Sequence, residues 1–216
     1  NSSGSDIGST GTWDFADPPF SPGSDLWRFG SATGLLGKWQ NSGDDIDAVL
    51  AGVTGTITLD ANVTIYVNDI TVAPDTPGVY SIAGVSGAAL YLRGKTTPVV
   101  DVASGSTLTI TSGVRGLLGL TKTGSGILAL DSAIAVPNQL FGGVTISTGT
   151  LQLGSSQTTN NGAAQVLRSN AVYLAPGTFL TSIGSNQTNS EIRIGPLSGG
   201  GTVTPNANGA LTLIVS

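Results

Sequence analysis

Apolar residues along this chain fall on every second position, in short runs. Ile57-Thr58-Leu59, Val63-Thr64-Ile65-Tyr66-Val67 and Ile70-Thr71-Val72 show it most clearly. It recurs at Leu90-Tyr91-Leu92, Leu108-Thr109-Ile110, Val144-Thr145-Ile146, Leu151-Gln152-Leu153, Val172-Tyr173-Leu174 and Ile192-Arg193-Ile194. Period-two spacing predicts half-buried strands, and β-branched Thr, Val and Ile suit a pleated surface. Clusters of Gly, Asn, Asp and Pro separate the runs and supply turns. One stretch, Asp44 to Ala51, reads as a helix of one or two turns. The pattern predicts an all-β chain.

A repeat gives the strands an order. A Gly, a Ser or Thr close behind it and then alternating apolar residues occur at Gly55–Leu59, Gly105–Ile110, Gly149–Leu153, Gly177–Leu180 and Gly201–Thr204. The uneven spacing argues against equal propeller blades and suits a β-solenoid, in which rungs stack and loops of variable length leave one face. At about 20 residues a rung, residues 51–216 would hold roughly eight rungs, a rod of about 40 Å. The competing architecture is an antiparallel sandwich. It would favour tight Asn-Gly or Asp-Gly hairpins, yet Asn161-Gly162 and Asn208-Gly209 do not join two clean alternations. Three zones result: a polar leader over 1–11, an aromatic-rich N-terminal cap over 12–50 and solenoid rungs over 51–216. The cap holds Trp13, Trp27 and Trp39 with Phe15, Phe20 and Phe29, and these six are the candidates for closing the end or joining subunits.

Composition removes whole classes of function. The 216 residues include no Cys and no His, so soft metal sites, disulfides and Cys-His or Ser-His-Asp catalysis are excluded. A net charge of −5, with only 8 Lys plus Arg, cannot neutralise a phosphate backbone, which excludes nucleic acid as a partner. No apolar run approaches the ~20 residues of a transmembrane helix. What remains is a chain with 32 Gly and 51 Ser plus Thr, of which only 10% is charged. It starts at Asn1 without a signal peptide and reads as a processed form from outside the cell.

The segments Gly119-Leu-Thr-Lys-Thr-Gly-Ser-Gly-Ile-Leu-Ala-Leu130 and Gly142-Gly-Val-Thr-Ile-Ser-Thr-Gly-Thr-Leu-Gln-Leu-Gly154 are distinctive. They resemble the autotransporter-associated β-strand repeat, whose pattern is GLxKxGxGxLxL followed by GGxTIxxGTLxLG. Thr12-Trp13-Asp14, Trp39 and the run from Asp44 to Leu59 resemble the tryptophan-rich opening of such proteins. The resemblance implies a right-handed parallel β-helix in a large bacterial protein, secreted or displayed at the cell surface. It brings no shared catalytic residue. The chain departs from the pattern at residues 137–142, where Pro-Asn-Gln-Leu-Phe-Gly replaces NxYTG; it is also short for a passenger and shows no translocator barrel.

Four constellations suggest chemistry, and each has a plainer reading. Asp44, Asp45 and Asp47, with Asp14, Asp17 or Asp25, could offer oxygens to a cation, but no calcium-loop spacing is present and an Asp there also caps a helix. Gly124-Ser125-Gly126-Ile127-Leu128-Ala129 mimics a dinucleotide fingerprint, yet it runs straight into a strand and reads as a turn. Asp69 and Asp101 near Arg93 could converge as in polysaccharide-cleaving β-helices, and turn aspartates explain the same positions. The sequons at Asn1, Asn62 and Asn186 are weak, Asn62 standing at a strand start. No catalytic residue, cofactor or metal is expected. The uncharged C-terminal strand, with Leu211, Leu213, Ile214 and Val215, is a candidate stacking edge: either the chain continues beyond it or it docks on another copy. The leading expectation is a non-enzymatic extracellular rod that builds a fibre by head-to-tail self-association. The alternatives are a glycan-binding adhesin using Tyr66, Tyr91 or Tyr173, and a carbohydrate-cleaving enzyme.

Overall fold

The structure is a computed structural model that describes residues 11–13, 27–28, 36–37, 39–41, 46–85, 87–131, 139–154, 167, 170–183, 189–204 and 210–216. Among these, every regular element is a strand. A first sheet of eight strands runs in the order β1 (Gly11–Trp13), β5 (Thr56–Leu59), β8 (Val79–Gly84), β11 (Thr107–Ile110), β14 (Ile127–Asp131), β17 (Thr150–Gly154), β19 (Phe179–Ser182) and β22 (Thr202–Thr204). A second sheet of seven holds β4 (Ala48–Gly52), β7 (Ile70–Pro74), β10 (Val99–Val102), β13 (Leu120–Thr123), β16 (Val144–Ile146), β18 (Val172–Leu174) and β21 (Leu197–Gly199). A third contains β6 (Thr64–Val67), β9 (Ala89–Leu92), β12 (Gly113–Gly116) and β15 (Gln139–Leu140). Beyond it, β20 (Asn189–Ile194) pairs with β23 (Ala210–Val215), and Leu167 bridges to Ile194. A short antiparallel pair, β2 (Trp27–Arg28) and β3 (Leu36–Gly37), lies in the N-terminal zone.

The chain visits the sheets in rotation, second to first to third, and all pairings within the three main sheets are parallel. This is a β-solenoid, and it removes the antiparallel sandwich. Parallel neighbours are one full turn apart in sequence, which is what a crossover around a cylinder requires. Two expectations are corrected. Ala48 to Ala51 is strand, not helix: Ala48 and Leu50 are buried, Val49 is exposed, and the run pairs with Ile70 to Pro74. The ladder with β7 overrides the weak local helical preference of so short a segment. Rungs are also longer than 20 residues. In the second sheet Ala48, Ile70, Val100, Lys122, Ile146, Leu174 and Gly199 stand in register, six steps of about 25 residues each. The zone 51–216 therefore holds fewer rungs than the eight expected.

Inward positions stack into aliphatic columns. Ile57, Ile82, Ile110, Leu130 and Leu153 form one; Tyr80, Leu108, Leu128, Leu151 and Leu180 form its neighbour. Most are fully buried, and each such side chain contributes about 1.5–3 kcal/mol of burial free energy. Every copy of the Gly-Ser/Thr repeat immediately precedes a first-sheet strand, so the repeat marks one corner of the rung. At some corners backbones also pass very close. A Cβ on Gly124 would stand 2.2 Å from the Val102 carbonyl oxygen, and one on Gly149 would stand 2.5 Å from those of Gly124 and Gly126. The fingerprint-like Gly124-Ser125-Gly126 is thus a bend between β13 and β14, as its plainer reading held. Asn62 lies in an exposed turn with φ of 60°, ahead of β6 rather than at its start.

Two corner glycines separate the cost of φ from the cost of crowding. Gly149 (φ 74°) is crowded, whereas Gly177 (φ 80°) has nothing within 4 Å of a built Cβ. Gly177→Ala should cost about 1 kcal/mol, the left-handed penalty alone. Gly149→Ala should cost about 3 kcal/mol or more, because backbone must also move. Denaturant titration followed by circular dichroism compares the two, and equal losses would refute the stacked-corner account.

Candidate functional site

Polar and aromatic side chains close the N-terminal edge of the third sheet. The Asn41 side chain donates from Nδ2 to the Thr64 carbonyl at 2.7 Å and accepts the Tyr66 N–H through Oδ1 at 2.7 Å, as a neighbouring strand would. Trp39 Nε1 donates to the Tyr66 carbonyl at 3.1 Å. Trp39 packs edge-on against Trp13, with ring centroids 5.0 Å apart and planes at 83°, and both rings are buried. Two of the six aromatic candidates thus meet at one end of the core. Trp27 belongs to β2, while Phe15, Phe20 and Phe29 lie outside the described residues. Asn41 carried no periodic signal and was not anticipated.

The described acidic candidates are occupied with groups on neighbouring rungs. Asp47 Oδ1 accepts from the Asn68 side chain at 2.8 Å and from the Asp69 N–H at 3.1 Å. Asp69 Oδ1 in turn accepts the Val99 N–H at 2.8 Å, and Asp101 accepts the Thr123 hydroxyl at 2.7 Å. Asp47 and Asp69 stand where the backbone of the next rung needs an acceptor. Arg93 does not join them: its guanidinium lies over the Tyr66 ring, 5.3 Å from the centroid. Asp14, Asp17, Asp25, Asp44 and Asp45 lie outside the described residues. Among the described residues no three metal-ligating side chains gather.

The three tyrosines part company. Tyr66 and Tyr91 are register partners on the outer side of the third sheet, with ring centroids 5.3 Å apart. Tyr173 is on the second sheet, opposite Thr145 and Ser198, and is 45% exposed. At the other end of the chain, β23 borders β20; Leu213 packs against the core and Val215 is exposed.

Sequence periodicity hid one further group. Lys122 occupies an inward position in register with Val100 and Ile146 and is fully buried. Its ammonium donates to the carbonyl oxygens of Thr123, Gly124 (2.7 Å) and Thr148 (3.4 Å), so it clasps two successive corners. Burial pulls its pKa down from 10.5 to about 8, against an upward pull from Asp101. Tyr80, buried with its hydroxyl donating to the Ala51 carbonyl at 2.7 Å, is pushed up from 10.0 to about 12, by burial first and then by Asp75.

Over 178 residues, 82% of its length, the chain is 34% identical to a protein of Brucella suis biovar 1 (strain 1330) named Adhesin BmaC autotransporter. The chain spans about 4% of that relative's length. No protein-family model matches the chain. No solved structure matches it either.

Lys122 and Tyr80 give stability a pH profile with two opposite slopes. The folded lysine releases its proton near pH 8 and the unfolded one near 10.5, so the unfolded state binds more protons between them and stability rises with pH there. The folded tyrosine loses its proton later than the unfolded one, so its contribution is full below pH 10 and lost through 12. Thermal melts should therefore show stability climbing by up to about 3 kcal/mol from pH 8 to 10 and falling beyond. Lys122→Met should flatten the rising limb and leave the falling one. A rise that persists in the variant would assign it elsewhere.

Proposed function

We propose that this chain is a rod-like segment of a bacterial cell-surface adhesin of the autotransporter kind, with a structural and adhesive role and no catalysis. The observation that supports it most is the similarity, across most of the chain, to a small part of a protein named as an autotransporter adhesin, on a parallel solenoid. The residues that resemble the autotransporter-associated repeat fall in β13, β14, β16 and β17, the middle of the ladders, where they serve as corners and inward columns. A solenoid grows by adding rungs, so a long surface protein can be built from such segments. In this reading the protein is extracellular, Trp13 and Trp39 act as an end cap, and the outer Thr, Ser and Asn residues keep the rod hydrated.

Fibre formation by head-to-tail stacking through Leu211, Leu213, Ile214 and Val215 is the second reading. It draws on the uncharged strand β23 at one end. Against it, a copy adding to β6 would displace the bonds made by Asn41 and Trp39, each worth roughly 1 kcal/mol. The adhesin reading is preferred for that reason.

Display of the 216-residue chain on a non-adherent bacterium should raise attachment to cultured animal cells several-fold. A folded, displayed chain that leaves attachment unchanged would overturn the adhesin reading. Negative-stain microscopy of the purified chain should show separate short rods; filaments lost on deleting residues 211–216 would favour the stacking reading instead.

A further inference from the structure

The third sheet carries a strip whose chemistry differs from the rest of the surface. Tyr66, Tyr91 and Arg115 are register partners on consecutive rungs, about 4.8 Å apart. The two phenol rings lie tilted at 53° with centroids 5.3 Å apart, and the Arg93 guanidinium covers the Tyr66 ring at 5.3 Å. Arg115 lies next along the column, and its Nε is buried with no hydrogen-bond partner among the described residues. Nε itself is shut off from solvent, so contact with a ligand falls to the exposed part of this half-buried side chain. The local charge also runs against the whole. In a chain of net charge −5, β6, β9 and β12 contain no acid, and Arg93 and Arg115 stand on or next to these strands, with Asp69 two residues past β6.

We propose that Tyr66, Tyr91, Arg93 and Arg115 form a binding strip for an acidic polysaccharide. With Tyr66 covered by Arg93, the Tyr91 ring offers the apolar face with a polar rim on which the C–H face of a pyranose packs. Guanidinium forks match a carboxylate or a sulfate with paired, charge-assisted hydrogen bonds. Rings and guanidinia side by side therefore suit a chain of pyranoses that combines apolar ring faces with recurring anionic groups. A neutral glycan would leave the guanidinium charges unmatched, and an acidic peptide would offer no flat face to the tyrosines. The strip is linear because its residues repeat once per rung, which favours a polymer laid along the rod axis over a compact ligand. This inference rests on the adhesin reading and names its partner class.

The test uses the complete 216-residue chain and three probes: hyaluronan oligosaccharides for carboxylate, dextran sulfate for sulfate, and neutral dextran. Titration calorimetry should detect binding of one or both acidic probes and none of the neutral one, weakening as salt rises. Arg115→Gln and Tyr91→Ala should each lower affinity at least ten-fold. Arg115→Lys should fall between, since an ammonium keeps the charge without the fork. Circular dichroism and melting temperature certify the fold; if Arg115→Gln lowers stability, Arg93→Gln at its exposed position carries the test. Absence of binding to both acidic probes, equal binding of neutral dextran, or affinity untouched by these substitutions would overturn the strip. A displayed chain that raises attachment yet binds neither acidic probe overturns the strip alone. One that binds hyaluronan without raising attachment overturns the adhesin reading and leaves the strip standing.

Discussion

Parallel backbone pairing at one rung per turn is the interaction from which the rest of this protein follows. Each strand donates to and accepts from the rung on either side, so the spacing between successive turns is held near 4.8 Å wherever a ladder runs. Side chains inside the cylinder must then stack on their own counterparts, as Ile57, Ile82, Ile110, Leu130 and Leu153 do. Corners are held to the same spacing but lack regular ladders. That is why the backbone at Gly124 and Gly149 passes too close to its neighbours for any Cβ.

Corners and ends leave backbone groups that the ladders do not pair, and the chain satisfies them with side chains. Asn41 stands in for a missing strand beside β6, and Asp47 and Asp69 supply acceptors one rung apart. Asn170, buried within the core, donates to the carbonyls of Leu140 and Gly142. Lys122 does the same at a higher cost, because its ammonium is held in an aliphatic column and its charged form is disfavoured there. Unpaired buried carbonyls are costly as well, and one flexible cation reaching three of them joins consecutive rungs at a single point. Among the described residues these polar side chains are engaged in closing the protein's own backbone.

In the adhesin reading, function is left to the outside. Outward positions are free of packing constraints, so they record what the surface meets. In the described strands many are Thr or Ser, and the third sheet departs from this with Tyr66 and Tyr91 in register, flanked by Arg93 and Arg115. A repeating scaffold with a locally distinctive face is the division of labour expected of a solenoid, where loops and one face diverge while the core repeats.

Period-two alternation and the recurring Gly-Ser/Thr unit determined, by themselves, that the chain is all-β and solenoidal, since those signals are local and set by the backbone period. The same signals misread Ala48 to Ala51, because whether Ala48 and Leu50 share a strand face depends on the partner strand β7. They underestimated the rung, because turn residues do not show which strands a loop brings into register. Tyr66, Tyr91 and Tyr173 looked alike in sequence; only the winding of the chain placed two on one face and the third on another. Lys122, polar at an inward position, gave no sign of its carbonyl partners, since Thr148 lies a full turn away. The local pattern determined what each segment would become, and the three-dimensional register decided which side chains meet, because contacts between rungs join residues about 25 positions apart.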